Sequence, residues 1–554
     1  MTTHAMDAPY APEVWSADEA DVLRRYFTNL DGPVFALVNL PEVVKGALFA
    51  RYSRSAKSLR RLFLDEFVGD LDVSGDHGVD ATVGLARAEQ LYEKVFYEYG
   101  DDSVAQLGGV HLACEQASNL LTKVLERGRL MSYMEKSTRY VAYDTRLPSG
   151  RYRYYRSPEI LASVLGARYV GDMDRMFDAY AQLLPVLYDW FSQRAPKSEG
   201  DSDFAYRQAL KAKAFDTLRG ILPAAATSNL GIYGSGQGYE SLLVRMRAHP
   251  LPEARDYAEF MLIELRKVIP SWVRRVDVAD RGMAWSGYME KNDSEMADLA
   301  LKLFAGAATD DDDDSSSGAG PRVTLVDWDP DAEVKVVTAM LYPYTHLPEE
   351  QVFARVANMT VSERLEIMER YVGDRLNRRQ RPGRALERCG YRFDVVSDYG
   401  AFRDLQRHRL LTIEWQGLTP YHGYTMPEAV TSAGGEPAYA EAMARSAALY
   451  EALEQHLGAH VAAYAVTLAH RARYSVQVNA REAMHMLELR TTPQGHPEYR
   501  QVCQQMHRLI ADKAGHNAIA AMMGFVDHSS GEDHALGRLP GERRAERRRR
   551  GKAG

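Results

Sequence analysis

The sequence predicts an α+β protein of two tandem, helix-rich halves, each with a small mixed or antiparallel sheet. Three observations lead there. A stretch AGAATDDDDDSSSGAGP, from Ala305 to Pro321, divides the 554 residues into two pieces of similar size. Each piece carries an Arg-x-Arg, at Arg127-Gly-Arg129 and Arg407-His408-Arg409, and Gln106 and Glu387 lie 21 and 20 residues before them. Apolar residues recur at helical spacing through much of the chain, and a strand-like alternation restarts at Arg322-Val-Thr-Leu-Val-Asp-Trp-Asp.

Composition narrows the classes. Apolar content of 45% and charged content of 26% are those of a soluble globular protein. The net charge of −8 argues against a general nucleic-acid binder. No signal-peptide pattern opens the chain and no apolar run reaches membrane length. Cys114, Cys389 and Cys503 form no CxxC pair, so neither zinc nor a disulfide framework is indicated, and a cytoplasmic location is the simple reading.

Taken in order, residues 1–25 are Ala/Pro/Asp-rich and read as a flexible lead-in. Val44 to Phe67 reads as one amphipathic helix through Leu48, Tyr52, Leu59, Leu62 and Phe63, and Val110 to Glu126 as another that runs into Arg127. The first domain spans 26–304. Its later part, 151–275, reads as mostly helical, and the glycine run Gly231–Glu240 as a flexible turn without dinucleotide spacing. The acidic linker 305–321 is expected to be disordered, with nothing to fix Asp310–Asp314 around a metal. No metal site is read. The second domain spans 322–530, and 531–554 is a basic tail.

The densest chemistry lies in Arg127–Tyr140, RGRLMSYMEKSTRY: Arg127, Arg129, Ser132, Glu135, Ser137, Arg139 and Tyr140. Guanidinium forks and hydroxyls suit a phosphate, and a glutamate among them orients the arginines or holds a sugar hydroxyl. The plainer reading is a salt-bridged helix end. A second stretch, Asn479-Ala-Arg481-Glu-Ala-Met-His485-Met-Leu-Glu-Leu-Arg490, puts Arg481, His485 and Arg490 near one helix face.

The first stretch resembles the signature of the flavin-dependent thymidylate synthases, Arg-His-Arg-x-x-Ser-x-Asn-Glu-x-Ser-x-Arg-Tyr. Seven of nine specified positions match, with Gly128 for the His and Met134 for the Asn. The second copy keeps Arg407-His408-Arg409 and Thr412 at the first Ser, then departs. The 479–490 stretch resembles the family's Asn-x-Arg, flavin-contacting Asn or His, and Leu-Arg. Arg219 matches an arginine that precedes a Leu-Pro. The family's Gly-His segment has Asp101 and Pro382 in place of its His.

The resemblance implies reductive methylation of dUMP to dTMP, with methylenetetrahydrofolate giving the carbon and NADPH reducing FAD. It implies nucleotide contacts from Ser132, Glu135, Ser137, Arg139, Arg219 and Arg490, with Arg490 and Ser137 at the chemistry. Flavin contacts are implied for Ser103, Arg127, Arg129, Glu387, Arg407, His408, Arg409, Asn479, Arg481 and His485. Family members are similar homotetramers, so a homodimer of this tandem chain would form a pseudo-tetramer with sites composed from both halves. Two other readings stay open: a non-catalytic flavin- or nucleotide-binding paralogue, and a flavoenzyme on another pyrimidine deoxynucleotide.

Overall fold

The computed structural model describes residues 13–32, 35–52, 57–66, 68, 106–139, 141–199, 201–306 and 320–529, with a few positions of the tail. The chain divides into two compact units, each interleaved in sequence. One holds Met1–Cys114, Leu130–Met134 and Leu230–Ala305; the other holds Glu115–Arg129, Glu135–Asn229 and Gly306–Gly554. Among the described residues no helix is long and apolar enough to cross a membrane.

In the first unit, helices Ala17–Tyr26, Glu42–Tyr52 and Leu59–Glu66 bury Leu23, Leu48, Leu62 and Phe63. Strands β1 (Gly109–Ser118), β2 (Ser132–Glu135) and β3 (Thr227–Ser235), whose residues are divided between the two units, form a sheet in the order β1-β3-β2. Helices Gly236–Arg247, Pro252–Val268 and Ala284–Leu303 come next along the chain.

The second unit is built on strands β4 (Arg322–Trp328), β5 (Gly390–Asp398), β6 (Thr412–Trp415) and β7 (Arg471–Asn479), in the order β4-β5-β7-β6 and antiparallel throughout. Period-2 alternation buries Tyr391, Phe393 and Val395 of β5, while Val395 pairs with Tyr474 and Ile413 with Val476. Its helices include the long Gly166–Arg194, Asp203–Leu218 and Glu436–Leu457 and the shorter Tyr399–Leu405, Ala480–Arg490 and Pro497–Asp512.

The repeat holds element for element. β1, helix Asn119–Leu125, β2, β3 and helix Gly236–Arg247 recur as β5, helix Tyr399–Leu405, β6, β7 and helix Ala480–Arg490, and β1-β3-β2 matches β5-β7-β6. Ser118 and Asp398 cap equivalent helices through Leu121 N and Ala401 N. Within the second unit the two copies meet backbone to backbone at equivalent segments. Ala224 N donates to Val466 O at 2.7 Å, Leu468 N to Leu222 O at 2.9 Å, and Pro223 bridges Thr467.

Four expectations are corrected. Residues 17–25 of the lead-in lie in a helix, Ala17–Tyr26, because Ser16 and Glu19 make a reciprocal capping box. The helix expected over 44–67 is two helices, and Ser58 Oγ accepting from Arg61 N starts the second. The helix expected over 110–126 is β1 and then a short helix. Val110, Cys114 and Ala117 have helical spacing, yet Gly109–Ser118 is a strand, and the Ser118 cap starts a helix only at Asn119. The glycine run 231–240 is a strand end and helix start. A Cβ at Gly236 would sit 2.7 Å from the Trp272 ring, so its glycine serves close packing rather than a flexible turn. The acidic run Asp310–Asp314 lies outside the described residues.

Candidate active site

Helix Tyr399–Leu405 and the turn after it organise the site in the second unit. Arg403 and Arg407 are i and i+4 on that element, and both donate to Glu135, Arg403 at 2.6 Å. Glu135 is buried and also receives Lys123 Nζ at 3.5 Å, while Lys123 in turn pairs with Glu126. Burial pushes the Glu135 carboxyl up, but Arg403, Lys123 and Arg407 outweigh it and hold it well below the usual carboxylate range.

One helical position along, Asp404 faces three guanidinium groups. Arg139 Nη2 is 3.0 Å and Arg219 Nη1 3.2 Å from Oδ2, and Arg490 Nη1 is 3.5 Å from Oδ1. Arg139 Nε also meets Asp216 at 2.8 Å, and its Nη2 donates to Tyr499 Oη at 3.2 Å. Burial opposes the Asp404 charge, yet Arg139, Arg219 and Arg490 keep it ionised. Gly400 stands beside this group: a Cβ there would lie 3.4 Å from Arg219 Nε and Nη2.

Arg490 then joins a histidine pair. Its Nε donates to His408 Nε2 at 3.0 Å, so the His408 proton sits on Nδ1, 2.9 Å from Glu482 Oε1. His485 lies with its ring centroid 5.4 Å from that of His408, and Arg381 Nη2 is 3.2 Å from its Nε2. Burial drives both imidazoles to the neutral form, His485 down to about 4, and Arg490 adds to the effect on His408. His408, Glu482 and His485 bring three possible ligand atoms within 4.8 Å of one another. Both Nε2 atoms face a guanidinium group, that of Arg490 at His408 and that of Arg381 at His485.

Two interlocked ion clusters result. Lys123, Arg139, Arg219, Arg403, Arg407 and Arg490 stand against Glu126, Glu135, Asp216 and Asp404, an excess of two positive charges. Arg219 Nη2 and Arg403 Nε are buried without a hydrogen-bond partner. Buried guanidinium N–H groups left open beside a positive excess are what an anionic ligand would satisfy. The three cysteines are free and buried, and burial pushes each thiol up to about 12, so none is a ready nucleophile.

A family model for the thymidylate synthase complementing protein matches residues 52–271 and again 324–514. The chain belongs to that family. UPF0159 proteins of Chlamydia pneumoniae and Thermoplasma acidophilum are 38% and 31% identical to it over 539 and 524 residues, covering 96% and 90% of this chain and 98% and 97% of theirs. A solved UMP/dUMP methylase PolB from Streptomyces cacaoi bound with 5-Br dUMP is 19% identical, covers 37% of this chain and 96% of its own, and has a TM-score of 0.31.

Of the residues implied by the thymidylate synthase complementing signature, Glu135, Arg139, Arg219, Arg407, His408, His485 and Arg490 fall in one connected network. Ser137 is adjacent, its Oγ accepting from Arg139 N at 3.2 Å. Asn479 caps helix Ala480–Arg490 by accepting from Glu482 N, a structural task. Arg481 donates to Pro382 O at 3.0 Å and pairs with Glu387 at 3.3 Å, one turn from His485. Arg127 and Arg129 are not in the network: Arg127 meets Glu414 and Arg129 donates to Thr412 Oγ1, both at 3.1 Å. Ser132 and Arg409 are exposed, and Ser103 and Tyr140 lie outside the described residues. Sequence reasoning missed Lys123, Arg403, Asp404, Asp216, Glu482, Arg381 and Tyr499. Helical spacing could have found three: Arg403 is four before Arg407, Asp404 three before it, and Glu482 three before His485.

Proposed function

We propose that the protein is an FAD-dependent thymidylate synthase that converts dUMP to dTMP with methylenetetrahydrofolate and NADPH, in a site composed from its two halves. The observation that carries this reading is the contact of Glu135, Arg139 and Arg219, from the first copy, with Arg403, Asp404, Arg407 and Arg490 of the second. Family membership supplies the reaction class.

Arg139 and Arg219 hold the nucleotide phosphate, and the open Arg219 Nη2 is a donor in place for it. Ser137 fixes the turn that presents Arg139. Glu135 stays ionised and locks Arg403 and Arg407. Arg490 is oriented at two of its nitrogens, by His408 and by Asp404, so its remaining N–H groups can polarise the uracil carbonyl and stabilise charge that develops there.

The residues also suit a flavin. Arg378, Arg379 and Arg381 crowd one loop beside His485, and burial, with repulsion from Arg379 and Arg381, pulls Arg378 below the usual arginine range. Such a group of like charges favours a pyrophosphate, and Arg481 and neutral His408 and His485 would border the ring system. When bound, the flavin supplies the hydride chemistry. Two chains assembled as a homodimer would complete a four-copy arrangement.

One observation favours a nucleotide-binding protein without flavin: Arg407, on the flavin side, already pairs with Glu135. The absorbance spectrum separates the two. A yellow protein that forms dTMP from dUMP, methylenetetrahydrofolate and NADPH supports the synthase. A colourless protein that takes up no FAD contradicts it.

A further inference from the structure

The repeat places a second version of the anion site in every chain, and its residues differ. In the common register Ser118 aligns with Asp398 and Ser132 with Thr412, so Arg127 stands where Arg407 does and Trp415 where Glu135 does. The geometry is kept: Arg407 reaches Glu135, and the Arg127 guanidinium lies 5.2 Å from the Trp415 ring centroid. The chemistry is not kept. Val124 replaces Asp404 and Thr419 replaces Arg139; by the register of the paired segments at Pro223 and Thr467, Ala463 replaces Arg219.

We infer that each chain has one working nucleotide site, and that the pseudo-equivalent position at Arg127 and Trp415 has become a neutral brace between the two copies. The inference rests on the dUMP reading above. Charge decides it. The working cluster has two positive charges in excess, whereas Arg127 is matched by Glu414, which it meets at 3.1 Å through both carboxylate oxygens. Arg129 is likewise engaged by Thr412 Oγ1 and Leu411 O. A monophosphate dianion is drawn to the first and finds no surplus at the second. The stacked Arg127–Trp415 pair still joins an element of the first copy to one of the second, a cation–π contact that needs no ligand. The duplicated chain thus halves its site count relative to its number of family copies.

Isothermal titration of dUMP into the full chain with its cofactor tests this by counting. One nucleotide per chain is expected. Trp415→Leu should leave both the count and the Kd within about two-fold, while Arg219→Gln should weaken binding about 10- to 100-fold, the loss of a charge-assisted contact. Arg219→Lys, which keeps the charge and the fold, should recover part of that loss. Two nucleotides per chain, or a loss of half the binding heat in Trp415→Leu, would overturn the single-site inference while leaving the dUMP reading intact. No binding by the unmodified protein would sink the dUMP reading itself, and this inference with it.

Discussion

Among single side chains, the ionised state of a few buried groups governs what the site can do. Glu135 is held by three cations, and Lys123 keeps Glu126 as a second partner, so Glu135→Ala leaves above all the buried Arg403 without its carboxylate. A loss of about 3–5 kcal/mol is expected, read as a fall in thermal midpoint. The histidines set a pH dependence. The folded-state value of His485, pushed down to about 4, lies below the unfolded value of about 6.5. The unfolded chain therefore binds the extra proton as pH falls between those values, and stability declines over that window. His485→Gln should flatten the slope of chemical-denaturation stability between pH 6.5 and 4; an unchanged slope would place the histidine outside the buried network. Arg219 and Arg139 could be named from sequence because their chemistry travels with a signature. Asp404 could not: an aspartate next to an arginine on a short helix reads as a surface pair, and its three partners come from Arg139, Arg219 and Arg490, far away in the chain.

Among the helices and strands, Asp398 and Glu498 carry the opposite pH sign. Asp398 caps helix Tyr399–Leu405, and its backbone N–H donates to Glu498 Oε1 at 3.3 Å, both side chains being buried. Burial raises both carboxyls, and Glu498 raises Asp398 further. Groups raised on folding stabilise below their unfolded values near pH 4 and lose that contribution as pH climbs through the folded ones. Glu498→Gln should therefore make the protein less sensitive to a rise in pH above the usual carboxylate range, measured by urea midpoint, while Asp398→Asn keeps the cap. The elements themselves were legible where the period was unambiguous. Helix Ala480–Arg490 lies where its spacing put it, with Asn479 as its cap. β1 was not, because Val110, Ala113 and Ala117 satisfy a helical stripe while Gly109–Ser118 gains its stability from pairing with β3, a contact no local pattern reports.

For the molecule as a whole, duplication explains why signatures degenerate in a complementary way. The first copy has Glu135, Arg139 and Arg219 where the second has Trp415, Thr419 and Ala463. The second has Asp404, His408, His485 and Arg490 where the first has Val124, Gly128, Ser241 and Met246. In the proposed site the retained groups of the two copies face one another, as Arg139 and Asp404 do at 3.0 Å. The Arg-x-Arg repeat was visible in the sequence, but its cross-copy partners were not, because pairing between copies leaves no periodicity. Sedimentation equilibrium should return about twice the 62.2 kDa chain mass if two chains assemble as proposed, and a monomer would contradict that assembly.

A single site that draws on both copies should reveal itself in the flavin difference spectrum on adding dUMP. The unmodified protein should show a perturbed flavin band between about 350 and 500 nm. Arg139→Gln in the first copy and Arg490→Gln in the second should each abolish that perturbation at the same dUMP concentration. A perturbation that survives either substitution in full would contradict a shared site.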